Sequence, residues 1–309
     1  MRSLGLALAL LVVGSVACSS KTSNSGFQQP DNTSGGAGTG NTSGGTIGGT
    51  TPTPTGTNQA GCSDAAKLVY VVSDSNELFS FAPDKLAFAK IGTLNCDAGA
   101  ASPNSMAVDR SGTAWVNYSD GGLFKVSTAD ASCTATTYEK GQGGLQRFGM
   151  AFATNSATST DETLYVVGIE GTNGGKGLAK IDLTTMKLTM IGDFSGNLAG
   201  QGAELTGTGD GRLFGFFTTQ PDATLAEIAK ADGSTTNPSD LSGVSTGTAW
   251  AFSFWGGDFW FYTSSGAPST VTRKQTSTDG ALSTAKADVG GFRIVGAGVS
   301  TCAPTTPPR

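Results

Sequence analysis

The sequence predicts an all-β fold in which five four-stranded sheets form a closed ring. Glycine is abundant, with 46 of 309 residues, and only 14% of the residues are charged, a composition that favours many short strands and turns over helices. A short apolar segment with one central aromatic residue recurs at intervals of about 45 to 50 residues. The recurring residues are Tyr70, Trp115, Tyr165, Phe214 and Trp260.

Further strands flank most of these aromatic segments. A strand precedes four of them, at 106–108, 150–152, 205–207 and 252–254, and most of these strands end in Asp- and Gly-rich turns that indicate hairpins. A following strand has apolar residues three apart, at Leu78/Phe81, Leu123/Val126, Leu178/Ile181 and Leu225/Ile228, whereas the fifth unit has Thr270 and Arg273 there. A last strand is recognisable in two units only, at 86–92 and 188–192.

The first unit lacks a preceding strand of its own, and the end of the chain supplies one. Residues 294–299 form an apolar segment with no unit following it. Pairing this segment with the strand around Tyr70 closes the ring and leaves no open sheet edge. Four strands per unit at this period predict a β-propeller of five blades. A six-bladed ring, a β-sandwich and a β-helix are the alternatives.

Three stretches of the repeat resemble a known type of protein. Residues 106–115 (MAVDRSGTAW), 122–126 (GLFKV) and 207–214 (GTGDGRLF) are similar to blades of the WD40-like and NHL-like β-propeller lipoproteins of Gram-negative bacteria. The resemblance extends over most of residues 62–302. It implies a propeller blade and leaves the activity open, because one fold of this kind serves many functions.

The N-terminus is typical of an export signal. Arg2 precedes an apolar run from Leu4 to Val13, which is too short to span a bilayer. The run ends in Ser15-Val16-Ala17-Cys18, which resembles the lipobox of bacterial lipoproteins but has Ser where Leu is usual. We therefore expect residues 1–18 to be a signal peptide and Cys18 to be lipidated. An ordinary cleaved signal with a chance cysteine is the alternative.

The interpretation of the N-terminus as a lipoprotein signal also predicts the location of the protein and the division of the chain into segments. By the same resemblance, Ser19 after the cysteine indicates the outer membrane, with the protein facing the periplasm or the cell surface. Residues 19–61 consist almost wholly of Ser, Thr, Gly, Asn and Pro and predict a disordered tether, because such a segment buries too little apolar surface to offset its ordering entropy. We expect the propeller at 62–302 and a disordered tail at 303–309.

Four cysteines remain for disulfides in an oxidising compartment. Three pairings are open, and the closed ring favours one of them. Cys62 precedes the first unit's strand and Cys302 follows the closing strand, so the bond Cys62–Cys302 would fasten the ring. The second bond, Cys96–Cys133, would then join the first two blades. Other pairings and free thiols are the alternatives.

The composition excludes several kinds of chemistry. The chain has no histidine, which removes Ser-His-Asp and Cys-His catalysis and the commonest metal ligand. A net charge of −5 gives no electrostatic support to a nucleic-acid partner. Asp109, Asp210 and Asp258 recur at similar places in their units, and we interpret them as turn residues rather than calcium ligands. No catalytic residue, metal site or cofactor is predicted.

The candidate ligand site lies where the inner strands of the ring begin. Inner strands of a propeller line its central channel, so their first residues surround the channel mouth. An aromatic ring, two guanidiniums, a carboxylate and an amide there could bind a sugar, a carboxylated ligand or a protein. The alternative is that they fill the channel through an Arg–Glu pair and stacked packing. The candidate residues are Asn104, Arg147, Glu204, Trp250 and Arg293.

An aromatic cluster in the fifth unit is a further candidate contact surface wherever its members are exposed, although alternation along the strands predicts core for most of them. The aromatic cluster comprises Phe252, Phe254, Trp255, Phe259, Trp260, Phe261 and Tyr262.

Two functions remain open. The first is a lipid-anchored binding or scaffold module at the cell envelope. The second is a propeller hydrolase or lyase acting on a polysaccharide or lactone.

Overall fold

A computed structural model describes residues 61–169, 175–266, 268–277 and 280–308. The predicted signal peptide, the predicted lipidation site at Cys18 and the predicted tether up to residue 60 lie outside the described residues. Among the described residues no helix has the length and hydropathy needed to cross a bilayer.

Five four-stranded antiparallel sheets make up the described fold, which confirms the predicted five-bladed β-propeller. Blade 1 has the order β20-β1-β2-β3, and blades 2 to 5 each consist of four consecutive strands. The strands are β1 Val69–Ser73, β2 Glu77–Ala82, β3 Ala87–Thr93, β4 Pro103–Val108, β5 Thr113–Tyr118, β6 Leu123–Ser127, β7 Cys133–Ala135, β8 Phe148–Thr154, β9 Glu162–Gly168, β10 Leu178–Asp182, β11 Lys187–Gly192, β12 Ala203–Gly207, β13 Leu213–Phe217, β14 Thr224–Ile228, β15 Thr235–Asp240, β16 Ala249–Trp255, β17 Asp258–Ser264, β18 Thr270–Lys274, β19 Leu282–Lys286 and β20 Ile294–Val299.

The ring closes through the last strand, as the sequence predicts. β20 pairs antiparallel with β1, with Val69 opposite Val299 and Val71 opposite Ala297. Each of the recurring aromatic residues lies on the second strand of its blade. The five inner strands contact one another in the cyclic order β20, β4, β8, β12, β16 and back to β20. The starts of these strands therefore meet at one end of the ring.

The core is divided into five clusters, and each lies between two neighbouring blades. The cluster between blades 1 and 5, for example, joins Val71 and Phe81 to Trp260 and Tyr262, and Phe81 meets both of these rings edge to face. The other four clusters repeat this arrangement around the ring. Burial of apolar surface between blades thus holds the ring together, while hydrogen bonds hold each blade.

The outermost strand of a blade is the part of the repeat that the sequence showed in only two of the five units. The structure has an outer strand in all five blades, including β7, β15 and β19, for which the sequence shows no pattern. Every residue of these strands is exposed or only partly buried. A strand at a sheet edge that buries few of its side chains carries only a weak apolar alternation.

Both predicted disulfides are present. Cys62 is bonded to Cys302 across a separation of 240 residues, and Cys96 to Cys133 across 37. The first bond fastens the segment before β1 to the segment after β20. The second connects the segment after β3 to β7, so that it joins blades 1 and 2.

The segment that follows β20 packs on blade 5. Ala303 is buried, and the carbonyl of Pro304 accepts a hydrogen bond of 2.7 Å from the N–H of Gly256 in the β16–β17 turn. The folded domain therefore extends beyond Cys302 to Pro304 at least, into the segment for which the sequence predicts a disordered tail.

Candidate functional site

The five candidate residues come from five different blades and meet at one end of the channel. Each lies at the start of an inner strand or immediately before it. All of them line a single cavity of about 210 Å³, here called the mouth. By volume it could hold about seven water molecules or one ligand the size of a sugar ring. Its other described lining residues are Asp74, Ser102, Pro103, Ser119, Ile169, Thr248, Ala249 and Val295.

Glu204 is the most deeply buried polar residue of the mouth. It is the second residue of β12 and is 1% exposed. Its Oε2 accepts a hydrogen bond of 2.8 Å from Ser105 Oγ on β4, and its Oε1 has no partner among the described residues. Burial raises the pKa of Glu204 well above its usual value, against a smaller lowering by Ser105. Burial therefore favours the uncharged carboxylic acid form of Glu204, which can donate a hydrogen bond as well as accept one.

Arg293 connects blade 1 to blade 5 at the mouth. One guanidinium nitrogen donates to the carbonyl and to Oγ1 of Thr248, at 2.7 Å each. Another lies 3.6 Å from the carboxylate of Asp74, which follows β1. The Nε of Arg293 is buried and has no partner among the described residues. The sequence did not single out Asp74, because a lone Asp after a strand is most often a turn residue.

Asn104 and Trp250 complete the described walls. The side-chain amide of Asn104 donates to Asn117 Oδ1 at 3.1 Å and to the carbonyl of Phe148 at 3.3 Å, so that it joins blade 2 to blade 3. Trp250 is half-buried and packs against the cluster between blades 4 and 5. Arg147, directly before β8, adds a second guanidinium to the lining. Guanidiniums, a buried carboxyl group, an amide and an aromatic ring thus converge from separate blades.

A larger depression adjoins the mouth. It has a volume of about 1060 Å³ and shares Ile169 and Trp250 with the mouth. We call it the groove. It is bounded by the loops before β12 and between β13 and β14, and by β15. Its remaining described lining residues are Ser195, Gly196, Asn197, Leu198, Gln201, Gly202, Thr218, Thr219, Gln220, Pro221, Asp222, Thr224, Thr235, Pro238 and Asp240.

The three recurring aspartates form hydrogen bonds or ion pairs within their own blades. Asp109 accepts hydrogen bonds from the N–H of Thr113 and from Trp115 Nε1, at 3.0 Å each. Asp258 is 3% exposed and pairs with Arg273 on β18. Asp210 pairs with Arg212 in the β12–β13 turn. These contacts agree with the interpretation as turn residues. The described residues contain no group of three or more acidic or cysteine side chains placed to hold a metal ion.

The aromatic cluster of blade 5 is core. Its seven members are all buried, with Trp255 the most exposed at 7%. The indole N–H of Trp260 donates to the carbonyl of Trp255, and that of Trp255 donates to the carbonyl of Lys67. Because none of these seven residues is exposed, none of them forms the contact surface that the sequence left open.

A second, half-buried carboxyl group lies at the opposite end of the ring, beside the end of the inner strand β8. Glu162 begins β9, opposite the last residue of β8. Its oxygens accept hydrogen bonds of 2.8 Å from the N–H of Arg110 and from Thr301 Oγ1. Burial raises its pKa to about 7, with a smaller raising contribution from Asp109. Glu162 therefore connects blade 3 to the β4–β5 turn and to the segment that follows β20.

The fold and its mouth define the class of this protein as a five-bladed β-propeller with a polar, partly closed channel entrance. No family model matches the chain, and no curated protein matches it. Similar solved structures are an auxiliary nutrient binding protein from Bacteroides thetaiotaomicron (12% identity, 71% of this chain, 54% of that chain, TM-score 0.42), TolB from Acinetobacter baumannii (13%, 71%, 52%, 0.41) and the calcium-binding protein regucalcin from Agrobacterium tumefaciens (14%, 68%, 65%, 0.39). The chain spans about half to two thirds of their lengths.

Proposed function

We propose that this protein is an exported lipoprotein whose propeller binds a polar ligand at the mouth without transforming it. The proposal has two parts, an anchor and a binding site. Cys18 carries the lipid, residues 19–61 form the tether, and the propeller is held above the outer membrane, facing the periplasm or the cell surface.

The anchor is supported by the lipobox-like Ser15-Val16-Ala17-Cys18 at the end of an apolar run. The two disulfides support export, because such bonds form and persist in oxidising compartments. Several acyl chains on one cysteine make a durable membrane anchor, since each buried methylene contributes about 0.8 kcal/mol.

The anchor is tested by detergent partitioning after expression in a Gram-negative host. The wild-type protein is expected to enter the detergent phase, and the Cys18→Ser variant to remain in the aqueous phase. A Cys96→Ser/Cys133→Ser variant controls for loss of a cysteine elsewhere and should partition like the wild type. A processed wild-type protein in the aqueous phase would refute the anchor.

One observation carries the binding function: five side chains from five blades converge on a cavity in which an oxygen of the buried Glu204 has no partner among the described residues. An unsatisfied buried oxygen costs about 1–3 kcal/mol. The guanidiniums of Arg147 and Arg293 line the same cavity as Glu204, whose uncharged, donor-bearing form is favoured by burial. Such a donor set suits a ligand rich in oxygen acceptors, such as a carboxylate or a sugar.

Titration calorimetry of the mature protein against small carboxylates, monosaccharides and a glycan array tests this function. Replacing Arg147 by Gln is expected to weaken any ligand found by about tenfold or more, because it removes a charged donor from the wall. Lys187→Gln, an exposed cation on β11 outside the mouth, should leave the affinity unchanged. The absence of binding to every member of the panel would overturn the proposal.

A second candidate is a hydrolase or lyase acting on a polysaccharide or lactone. It is favoured by the presence of two carboxyl groups, Glu204 and Asp74, in the lining of one cavity, with the pKa of Glu204 raised by burial. Acid–base chemistry on glycosidic bonds uses two such groups in unlike protonation states. If a substrate is found, Glu204→Gln should reduce turnover by a factor of at least about 100. Unchanged turnover would defeat this role of Glu204.

A further inference from the structure

The mouth and the groove differ in charge although they adjoin. Two guanidiniums line the mouth together with two carboxyl groups, Asp74 and Glu204, and burial raises the pKa of Glu204 and so favours its uncharged form. The described lining of the groove contains no Lys or Arg and includes two carboxylates, Asp222 and Asp240. An anionic group is therefore favoured in the mouth and disfavoured in the groove.

The groove is lined by groups that suit neutral hydroxyls. The side-chain amides of Asn197, Gln201 and Gln220 make no hydrogen bond to other described residues and remain available to a ligand. Asp222 and Asp240 can each accept hydrogen bonds from two hydroxyl groups. The volume of about 1060 Å³ is sufficient for several sugar rings, since pockets of 300–1,000 Å³ hold drug-sized ligands.

The walls of the groove are braced by hydrogen bonds. Ser195 and Thr235 exchange bonds of 3.2 Å between their backbone N–H groups and side-chain oxygens, which holds the loop before β12 against β15. Thr219 donates to the carbonyl of Asp222 at 2.8 Å, and Ser242 donates to Asp222 Oδ2 at 3.0 Å. A braced polar wall reduces the ordering cost of binding.

Trp250 connects the two cavities. It is the second residue of β16, lines both the mouth and the groove, and has its inner side packed against the core. The packing fixes the aromatic ring at the junction of the two polar cavities. Such a ring is a better partner for the C–H face of a sugar than for an ionic group.

We infer that the mouth and the groove form one site for an oligosaccharide that ends in a carboxylate-bearing sugar. The acidic terminal sugar occupies the mouth beside Arg147, Arg293 and Glu204. The next sugar stacks on Trp250, and neutral units continue along the groove. This inference rests on the proposed binding function and names its ligand.

The test compares three ligands by calorimetry: free glucuronate, an aldotriouronic acid (one glucuronate on two neutral xylose units) and xylotriose. The acid-capped trisaccharide is expected to bind at least about tenfold more tightly than either of the others, because only it fills both cavities. A glycan array with acid-capped and neutral chains of other linkages accompanies the titrations.

Substitutions in each cavity test the contributions of the mouth and the groove to binding separately. The pair Asn197→Ala/Gln220→Ala is expected to weaken the trisaccharide by about tenfold and to leave glucuronate unchanged, whereas Arg147→Gln weakens both. Trp250→Ala should weaken the trisaccharide most. Ser283→Ala, on exposed β19 outside both cavities, is the matched control.

The outcomes distinguish this inference from the function on which it rests. Equal affinities for glucuronate and for all acid-capped chains, unaffected by Asn197→Ala/Gln220→Ala, would overturn the inference and leave a binding site for small carboxylates. Capture of peptides in place of glycans on a mixed array would also overturn it. Absence of binding to any ligand would overturn the proposed function as well.

Discussion

Cys62 and Cys302 are disulfide-bonded across 240 residues of sequence, and the bond fastens the two ends of the propeller next to the β1–β20 pairing. Ring closure therefore rests on hydrogen bonds, a shared core and one covalent bond at the same place. Blade 1 is the only blade of the described ring that takes strands from both ends of the chain.

Removing this disulfide should destabilise the ring strongly. A bond that closes so long a loop contributes about 5 kcal/mol on an entropic model, against about 4 kcal/mol for the 37-residue loop of Cys96–Cys133. Urea unfolding of Cys62→Ala/Cys302→Ala and Cys96→Ala/Cys133→Ala measures both costs. Intact mass should also rise by four hydrogens on full reduction. No rise in mass, or an unchanged unfolding midpoint in the first variant, would contradict this account.

Glu162 is expected to make the stability fall as the pH rises. The pKa of Glu162 in the folded protein is about 7, above the ordinary value of 4.5. Its contribution to the free energy of unfolding is therefore complete below about pH 4.5 and is lost as the pH rises past 7. The Glu162→Gln variant should remove up to about 3 kcal/mol of this loss. The free energy of unfolding at pH 5 and pH 8 measures it, and the same slope in both proteins would refute the assignment.

Glycines at the centre of the ring are expected to resist substitution. A Cβ on Gly149 of β8 would lie 2.1 Å from the carbonyl oxygen of Ala203, and one on Gly207 of β12 would lie 2.0 Å from that of Phe152. Inner strands approach too closely there for any side chain. Gly149→Ala and Gly207→Ala should each cost about 2–3 kcal/mol in urea unfolding. A cost below 0.5 kcal/mol would show that the inner strands are farther apart.

The Asp74–Arg293 pair should contribute little to stability. The two side chains are 39% and 30% exposed and are separated by 3.6 Å, and such pairs contribute about 0–1 kcal/mol. A double-mutant cycle of Asp74→Asn and Arg293→Gln is expected to give a coupling below about 1 kcal/mol. Arg293→Gln alone should cost more, because it also removes the hydrogen bonds to Thr248. A coupling of several kcal/mol would contradict this prediction.

The sequence predicts the ring because its inner strands and aromatic strands are buried and so carry apolar patterns. Tyr70 and Trp115 mark strands in which nearly every residue is buried. The closing strand was recognisable because an apolar segment at 294–299 had no blade of its own. The outer strand β15 was not recognisable, since Thr235–Asp240 contains Pro238 and is mostly exposed.

The mouth was predictable from topology and the groove was not. Once the inner strands are placed, their first residues must meet, and this alone brings Asn104 and Glu204 together. The groove depends on how loops and β15 are positioned by contacts such as Ser195–Thr235. Amides and hydroxyls in loops carry no periodic signal, so neither Gln220 nor Asn197 is distinguishable in the sequence from any other surface residue.

The most direct test of the central claim is a crystal structure of the mature protein with the acid-capped trisaccharide. We predict that residues 294–299 pair with β1 and that the carboxylate sugar lies within hydrogen-bonding distance of Glu204 Oε1, with Trp250 against the next ring. A closing strand paired elsewhere, or a ligand bound away from the starts of the inner strands, would contradict it.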